Sequence, residues 1–382
     1  MKKSYHIAIV GGCLSSHGGG APRSMAQQAR ALIKNSCQVT LFAGKNSHFP
    51  YTPRELDIAS IPSHVSPLWG PSVLGFFPQA LYALWKTAPQ LNLIHLNGAW
   101  NLTTWIAARI ARHHNVPYII SGRSHYGAYH FSRMPLIKKI IFQLMEKSNL
   151  RHAHALHLTT DWEIETSQKA VKYAPRIVKI PNPVNLTDFT PAPSRHQARE
   201  ILQLPQDSFL VLHLGRLGSQ KNLSFLIQAF HRAQLPSTAR LLLIGPPEKS
   251  EKARLKKQIY ALNLQHQITF INFAKGRERV QWFAAADLFT LPSHDENFCI
   301  AAIEAAASGT HSLLSPTVGA IEYLDSSLIT VETCHLDAWS QQLRKHAQNP
   351  YPQQPENPAH FDHFSVEIIT RQWLSYYSKI TS

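Results

Sequence analysis

Two glutamates stand eight residues apart in LPSHDENFCIAAIEAAASGTHSLLSP (291–316), and their setting is the sharpest chemical feature of the chain. An apolar run ends at Leu291, Pro292 and Ser293 turn it, Glu296 precedes an alanine-rich helix, and Glu304 lies within that helix, which Gly309 ends. A helix N-terminus gathers unpaired amides and the positive end of the dipole, so it suits an anion. A carboxylate among Ala301, Ala302, Ala305 and Ala306 costs free energy unless it accepts hydrogen bonds, and vicinal ribose hydroxyls are natural donors. The competing reading, a solvated helix residue, fits those alanine neighbours less well. In LGRLGSQKN (214–222), Arg216 and Lys221 follow another strand end. A planar fork and a mobile ammonium suit a diphosphate. Alone they are two surface cations in a loop. Beside the helix start at Phe298 they make a coherent pyrophosphate site.

Other features carry less. Gly18, Gly19 and Gly20 in HGGGAPRS (17–24) allow left-handed backbone and close approach to a ligand, but the string is neither G-x-G-x-x-G nor a P-loop. A plain turn competes equally. His125 follows the strand-like VPYIISGRS and is placed to touch a sugar or an acceptor, with Arg123 beside it for an anion; 22 histidines make chance placement a real competitor. His95 and Asn97 end another strand, where pocket lining and packing are equal readings. His152, His154 and His157 lie in a β-segment after a turn, so their side chains are not expected to converge on a metal. Cys13, Cys37, Cys299 and Cys334 lack C-x-x-C spacing and read as free thiols.

The elements that must position these residues alternate. HIAIV (6–10), QVTLFAG, LNLIHLNG (91–98), VPYIISG and ALHLTT (155–160) are β-runs separated by helical patterns. IVKIPNPVNLTDFTPAP (177–193), with four prolines, is the linker candidate. After it the pattern restarts with FLVLHLG (209–215), ARLLLIG (239–245), ITFIN and DLFTLPS (287–293), alternating with helices at 222–234, 250–263 and 278–286. This predicts an α/β chain of two doubly wound parallel-sheet domains with a cleft between them, ligands lying at the carboxyl ends of the strands. The expected domains are 1–185, 186–362 and a C-terminal helix, 363–382.

The 382 residues suit two cores, and 44% hydrophobic content excludes a disordered chain. The charge is uneven. Residues 1–185 hold 20 Lys/Arg against 6 Asp/Glu, and the rest hold 18 against 17, within a total of +15. Such a charge points to a polyanionic partner. No apolar run approaches the ~20 residues of a spanning helix, so the expected place is the cytoplasm, with peripheral contact at the cytoplasmic face of the inner membrane.

The residues 296–304 resemble the E-x7-E motif of retaining glycosyltransferases of the GT-B fold, family 4 (group 1). LGRLGSQKN is similar to that family's G-R-L…K-N loop, and IPNPVN, FAAADLFTLPS and the final FSVEIITRQWLSYY also fit. The resemblance covers nearly the whole chain, and IHLNGAWN with SGRSHYGAYHF is similar to a branch acting in bacterial surface polysaccharide assembly. It implies two Rossmann-like domains facing a cleft, with the C-terminal helix returning to the N-terminal domain. It implies that Glu304 binds the donor ribose and that Glu296 lies near the transferred sugar. Asn297 and Phe298 amides, with Gly215, serve the sugar and phosphates, and Arg216 and Lys221 hold the diphosphate. Gly19 and Gly20 face the cleft, with His125 among the catalytic candidates. No cofactor or metal is expected, and the partners are a nucleotide-sugar donor and a glycan or lipid-linked acceptor. Three positions depart from the family pattern: Cys299 and Asn272 for Gly, and His311 for Pro.

Competing functions are another GT-B enzyme (an epimerase or phosphorylase), a GT-B homologue of reduced activity, and a nucleic-acid-binding protein. The last fits the charge but lacks a stacking-aromatic motif, so nucleic acid is not the expected partner. The helix at 133–151 pairs Leu136, Ile137, Ile140, Ile141, Leu144 and Met145 with Lys138, Lys139, Lys147 and Arg151. It reads either as an anionic membrane contact or as an ordinary packed helix with a solvated basic face.

Overall fold

The computed structural model describes residues 5–14, 20–45, 51–54, 56–71, 74–132, 136–186, 189, 192–248, 250–350 and 358–381. It forms two compact units: Met1–Pro183 with Phe364–Ser382, and Val184–His363.

The first unit contains β1 (His6–Cys13), α1 (Gly20–Lys34), β2 (Gln38–Lys45), β3 (Ser63–Pro67), α2 (Pro78–Thr87), β4 (Leu93–Asn97), α3 (Leu102–His113), β5 (Tyr118–Ser121) and α4 (Ala128–Ser132). A further helical run consists of α5 (Leu136–Ile141), one wider turn (Phe142–Glu146) and α6 (Lys147–His152). Then come β6 (Ala155–Leu158), α7 (Asp161–Thr166), α8 (Gln168–Val171) and β7 (Ile177–Lys179). All seven strands are parallel, in the order β3-β2-β1-β4-β5-β6-β7. The pattern of β1 explains why both faces are covered. Ile7 and Ile9 pack on one side with Met25, Ala29 and Leu32 of α1. Ala8 and Val10 pack on the other with Leu84 of α2 and Ala107 and Ala111 of α3. A strand buried on both faces reads as a continuous apolar run, as HIAIV does.

The second unit contains α9 (Arg195–Ile201), β8 (Leu210–Leu214), α10 (Leu223–Arg232), β9 (Arg240–Ile244), α11 (Glu251–Ala261), β10 (Ile268–Ile271) and α12 (Arg277–Ala285). It continues with β11 (Leu288–Leu291), α13 (Ile300–Ala307), β12 (Ser312–Leu314), β13 (Ile329–Val331) and α14 (Leu336–Gln348). Its six parallel strands run β10-β9-β8-β11-β12-β13. In each sheet the chain order reverses once, between β1 and β4 and between β8 and β11. Such a switch point opens a crevice at the strands' carboxyl ends, because the following loops diverge.

The last helix, α15 (Val366–Thr381), belongs to the first unit. Ile369, Trp373 and Tyr377, spaced by four, form one stripe packed in the same cluster as Ile7 and Met25. This stripe also settles His95. Its Nδ1 lies 2.8 Å from the Tyr377 hydroxyl and its Nε2 lies 2.6 Å from Ser121 Oγ, and Ser121 continues to His157 Nδ1 at 2.8 Å. Both histidines are buried, and burial holds His157 down at about 3 and His95 well below its ordinary value, so both are neutral. His95 is a core residue with both ring nitrogens occupied, not a pocket residue.

Candidate active site

Glu296, Lys221, Arg216 and Glu304 converge at the β8/β11 switch point. β8 ends at Leu214, and Gly215 donates its amide to Ile244 O at 2.9 Å. Gly245, at φ +144°, lets the end of β9 press against this turn, because a Cβ there would overlap the Gly215 carbonyl. The chain passes Arg216 and a single tight turn, Ser219–Lys221, before Asn222, in left-handed backbone, starts α10. The β11 loop meets that turn. Gln220 Nε2 donates to Asp295 O at 2.5 Å and His294 N donates to Gln220 O at 2.9 Å. Glu296 is fixed by backbone bonds, its N–H to Thr317 O at 3.0 Å and its carbonyl from Gly319 N at 2.8 Å.

The side chains then pair. Lys221 Nζ contacts Glu296 Oε2, and both are largely buried. Burial lowers the Lys221 ammonium to about 8, with Cys299 opposing this and Arg216 adding to it. Arg216 is exposed, 4.0 Å from Glu248, a pair of little net worth in water. Glu304, on the second turn of α13, contacts Arg279 of α12. Arg279 has no local sequence signal; only the packing of α12 beside α13 shows that the Glu304 carboxylate has a cationic partner within the protein. Phe298 is buried with its ring near Tyr323, centroids 5.9 Å apart, so its backbone is what a ligand can use.

Among the described residues, His213 Nε2, Ser293 Oγ and Arg279 Nε are buried here without a hydrogen-bond partner. His213, on β8, is another residue the motif does not reveal. Burial takes its pKa to about 3, so it is neutral, and its Nε2 would lie 3.7 Å from a Cβ placed on Gly215. Natural proteins rarely bury polar atoms unpaired, and such atoms gather where a ligand or water completes the set.

Cys299 opens α13 in left-handed backbone, φ +76°. That is the physical reason for glycine at this position in the family pattern, since a Cβ there costs about 1–2 kcal/mol. Burial raises the thiol's pKa. Cys299→Gly is expected to leave thermal stability equal or higher by up to about 1 kcal/mol. A clear fall in a calorimetric scan would mean that packing of the thiol outweighs the backbone strain. His311 is held by Ser327 O (3.2 Å) and Thr330 Oγ1 (2.9 Å), and Asn272 accepts from Lys252 at 3.2 Å.

In the first unit, Gly20 is the first residue of α1 in helical backbone, and a Cβ there would meet nothing. Neither backbone freedom nor space demands glycine at that position. Gly18 and Gly19 lie outside the described residues. Arg123 and Ser124, both in left-handed backbone, follow β5. Arg123 donates to Asn97 Oδ1 (2.8 Å), Ser24 Oγ (3.0 Å) and Asn182 Oδ1 (2.7 Å), which gathers the ends of three elements around one guanidinium. His125, half-buried, sets its Nδ1 3.0 Å from Gly122 O. Among the described residues, no group of three or more His, Cys, Asp or Glu side chains is placed to hold a metal ion.

A family model described as glycosyl transferases group 1 matches residues 194–360, and one described as a glycosyl transferase 4-like domain matches residues 19–183. A D-inositol 3-phosphate glycosyltransferase from Streptosporangium roseum is 34% identical over 146 residues, 36% of this chain and 33% of that protein. The match therefore spans about a third of that curated relative's length. Sucrose-phosphate synthase from Thermosynechococcus elongatus superposes with a TM-score of 0.76 at 21% identity, covering 98% of this chain and 99% of that one. Anabaena HepE, solved in complex with UDP and glucose, superposes at 0.74 with 19% identity, covering 97% and 99%. At these identities the likeness shows the fold, which is GT-B.

Proposed function

We propose, on the premise that this chain belongs to the group 1 glycosyltransferases, that it moves a sugar from a nucleoside diphosphate sugar to a glycan or lipid-linked acceptor. The proposal includes retention of anomeric configuration and a place in cell-surface polysaccharide or lipopolysaccharide assembly. The observation that carries it is the β8/β11 crevice, where Lys221 and Glu296 pair beside buried polar atoms that have no partner among the described residues.

In this reading Arg216 and Lys221 hold the diphosphate, and Asn297 and Phe298 present backbone to the sugar or phosphate. Gly215 leaves room above His213. Glu304, held by Arg279, accepts from the ribose hydroxyls. Glu296 orients the transferred sugar, and His125 is the candidate contact for the acceptor. The bond from the anomeric carbon to the diphosphate oxygen breaks with its electron pair going to the diphosphate. The acceptor oxygen bonds the same face of that carbon, and its proton passes to the departing diphosphate. Arg216 and Lys221 stabilise the negative charge that develops, which is most effective in a preorganised, water-poor site.

A thermal-shift panel of UDP-, GDP- and ADP-sugars tests the donor site. Glu304→Ala is expected to weaken the responding donor by roughly 10–100-fold, the worth of hydrogen bonds to a charged acceptor. Unchanged affinity would overturn the assignment of Glu304. The left-handed Cys299 favours one second reading, a homologue of reduced activity. Nucleotide binding without acceptor-dependent release of nucleoside diphosphate would support it.

A further inference from the structure

Residues 58–160 contain nine Lys/Arg and a single Asp/Glu, Glu146. That one carboxylate is buried and used internally, accepting from Trp100 N at 2.8 Å and from the Tyr126 hydroxyl at 2.9 Å. Among the described residues, this whole stretch therefore offers no accessible carboxylate to solvent.

Its helices form one continuous surface. The Trp85 ring of α2 packs against His113 and His114 at the end of α3, with centroids 4.6 Å away in each case. Arg112 of α3 donates to Ser148 Oγ of α6 at 3.1 Å. Ser148 lies one turn beyond Leu144 on the run 136–152. The inner side of that run, Phe142 and Leu150, is in the core. Its outer side carries Leu136, Ile140 and Leu144, which are 73%, 51% and 71% exposed. Three large apolar side chains at successive turns, on the face where a soluble helix is polar, need a cover. Lys139 and Arg151 are exposed on the same run, as are Tyr82 and Trp85 on α2. An apolar stripe flanked by cations and amphipathic aromatic rings, with no acid, is the pattern of a helix that lies in a lipid headgroup layer.

We propose that the outer face of residues 136–152, with Tyr82 and Trp85, docks on an anionic lipid bilayer. Leu136, Ile140 and Leu144 enter the headgroup–acyl boundary, and Lys139 and Arg151 meet lipid phosphates. No described helix is long and apolar enough to cross a membrane, so this contact is peripheral. The inference does not depend on the donor site, which lies in the other unit.

Co-sedimentation of the full chain with vesicles tests it. Partition into phosphatidylcholine vesicles containing phosphatidylglycerol is expected to exceed that into phosphatidylcholine alone by at least about tenfold, and to fall with added salt. Leu136→Ser, Ile140→Ser and Leu144→Ser together should weaken it about tenfold or more. Lys139→Ala with Arg151→Ala should weaken it by a similar factor. Both variants should keep the parent's melting temperature and nucleotide response, which separates loss of docking from loss of fold or of the donor site. Absence of partition, equal partition into both vesicle types, or a triple variant that binds like the parent would overturn the proposal. So would a parent dimer that the triple variant dissolves without any vesicle binding, because the stripe would then be covered by a second copy. Tight binding of short duplex DNA that excludes vesicles would overturn it too.

Discussion

Lys221→Ala is expected to lower turnover roughly 10²–10³-fold, the scale seen when one preorganised group stabilising transition-state charge is removed. The reason is local. Lys221 lies at the crevice end of β8, largely buried, so its charge acts in a poorly screened environment. The same burial makes the result readable against pH. With the ammonium lowered to about 8, the free protein holds the proton at neutral pH and gives it up above that value. Diphosphate binding then requires proton uptake, so affinity for a nucleoside diphosphate should fall about tenfold per pH unit above roughly 8 in the parent. It should lose that dependence in Lys221→Ala. Affinity that stays flat in the parent from neutral pH to well above 8 would remove Lys221 from the diphosphate site. The substitution also leaves Glu296 without its cation, so a melting scan and Lys221→Arg belong in the experiment. The arginine variant keeps the charge and should recover part of the activity. A variant that melts early and recovers nothing would mark the pair as structural.

Asp287→Ala should be the most damaging change to the fold of the second unit, lowering its stability by about 3–5 kcal/mol. Asp287 is buried at the start of β11 and faces two cations of α9. Its Oδ2 takes Arg199 NH2 at 2.7 Å and Leu210 N at 2.7 Å, and Oδ1 contacts Arg195. Arg199 is almost wholly buried and also donates its Nε to Ala285 O at 3.0 Å. Removing the carboxylate strands a buried guanidinium and an amide at the head of β8. For a unit of this size the loss corresponds to a fall in melting temperature of roughly 10 °C. A calorimetric scan with no shift would show that water replaces the carboxylate at little cost.

The strand and helix order was legible because each signal is local. HIAIV and LVLHL are short apolar runs with no polar alternation, as strands covered on both faces must be. The E-x7-E segment was legible for the same reason, since Glu296 lies in a turn and Glu304 in the helix that directly follows it. His95 illustrates the limit. Its position at a strand end was visible, but Tyr377, which occupies its Nδ1, comes from α15, 282 residues later. The cation beside Glu304 was equally hidden. Arg279 lies 25 residues upstream on a helix whose face cannot be ranked from periodicity alone.

By itself, then, the sequence determined the alternating α/β plan, the two β-run series, the segment carrying both glutamates and the loop carrying Arg216 and Lys221. It also determined the basic excess of the first half, the sign of a polyanionic partner. Only the tertiary structure decided that Lys221 meets Glu296 across 75 residues, that Arg279 holds Glu304, and that two arginines of α9 clamp Asp287. The physical reason is strand order. Parallel sheets place the ends of β8 and β11 side by side although β9 and β10 intervene in the chain, and no local propensity encodes which strands become neighbours.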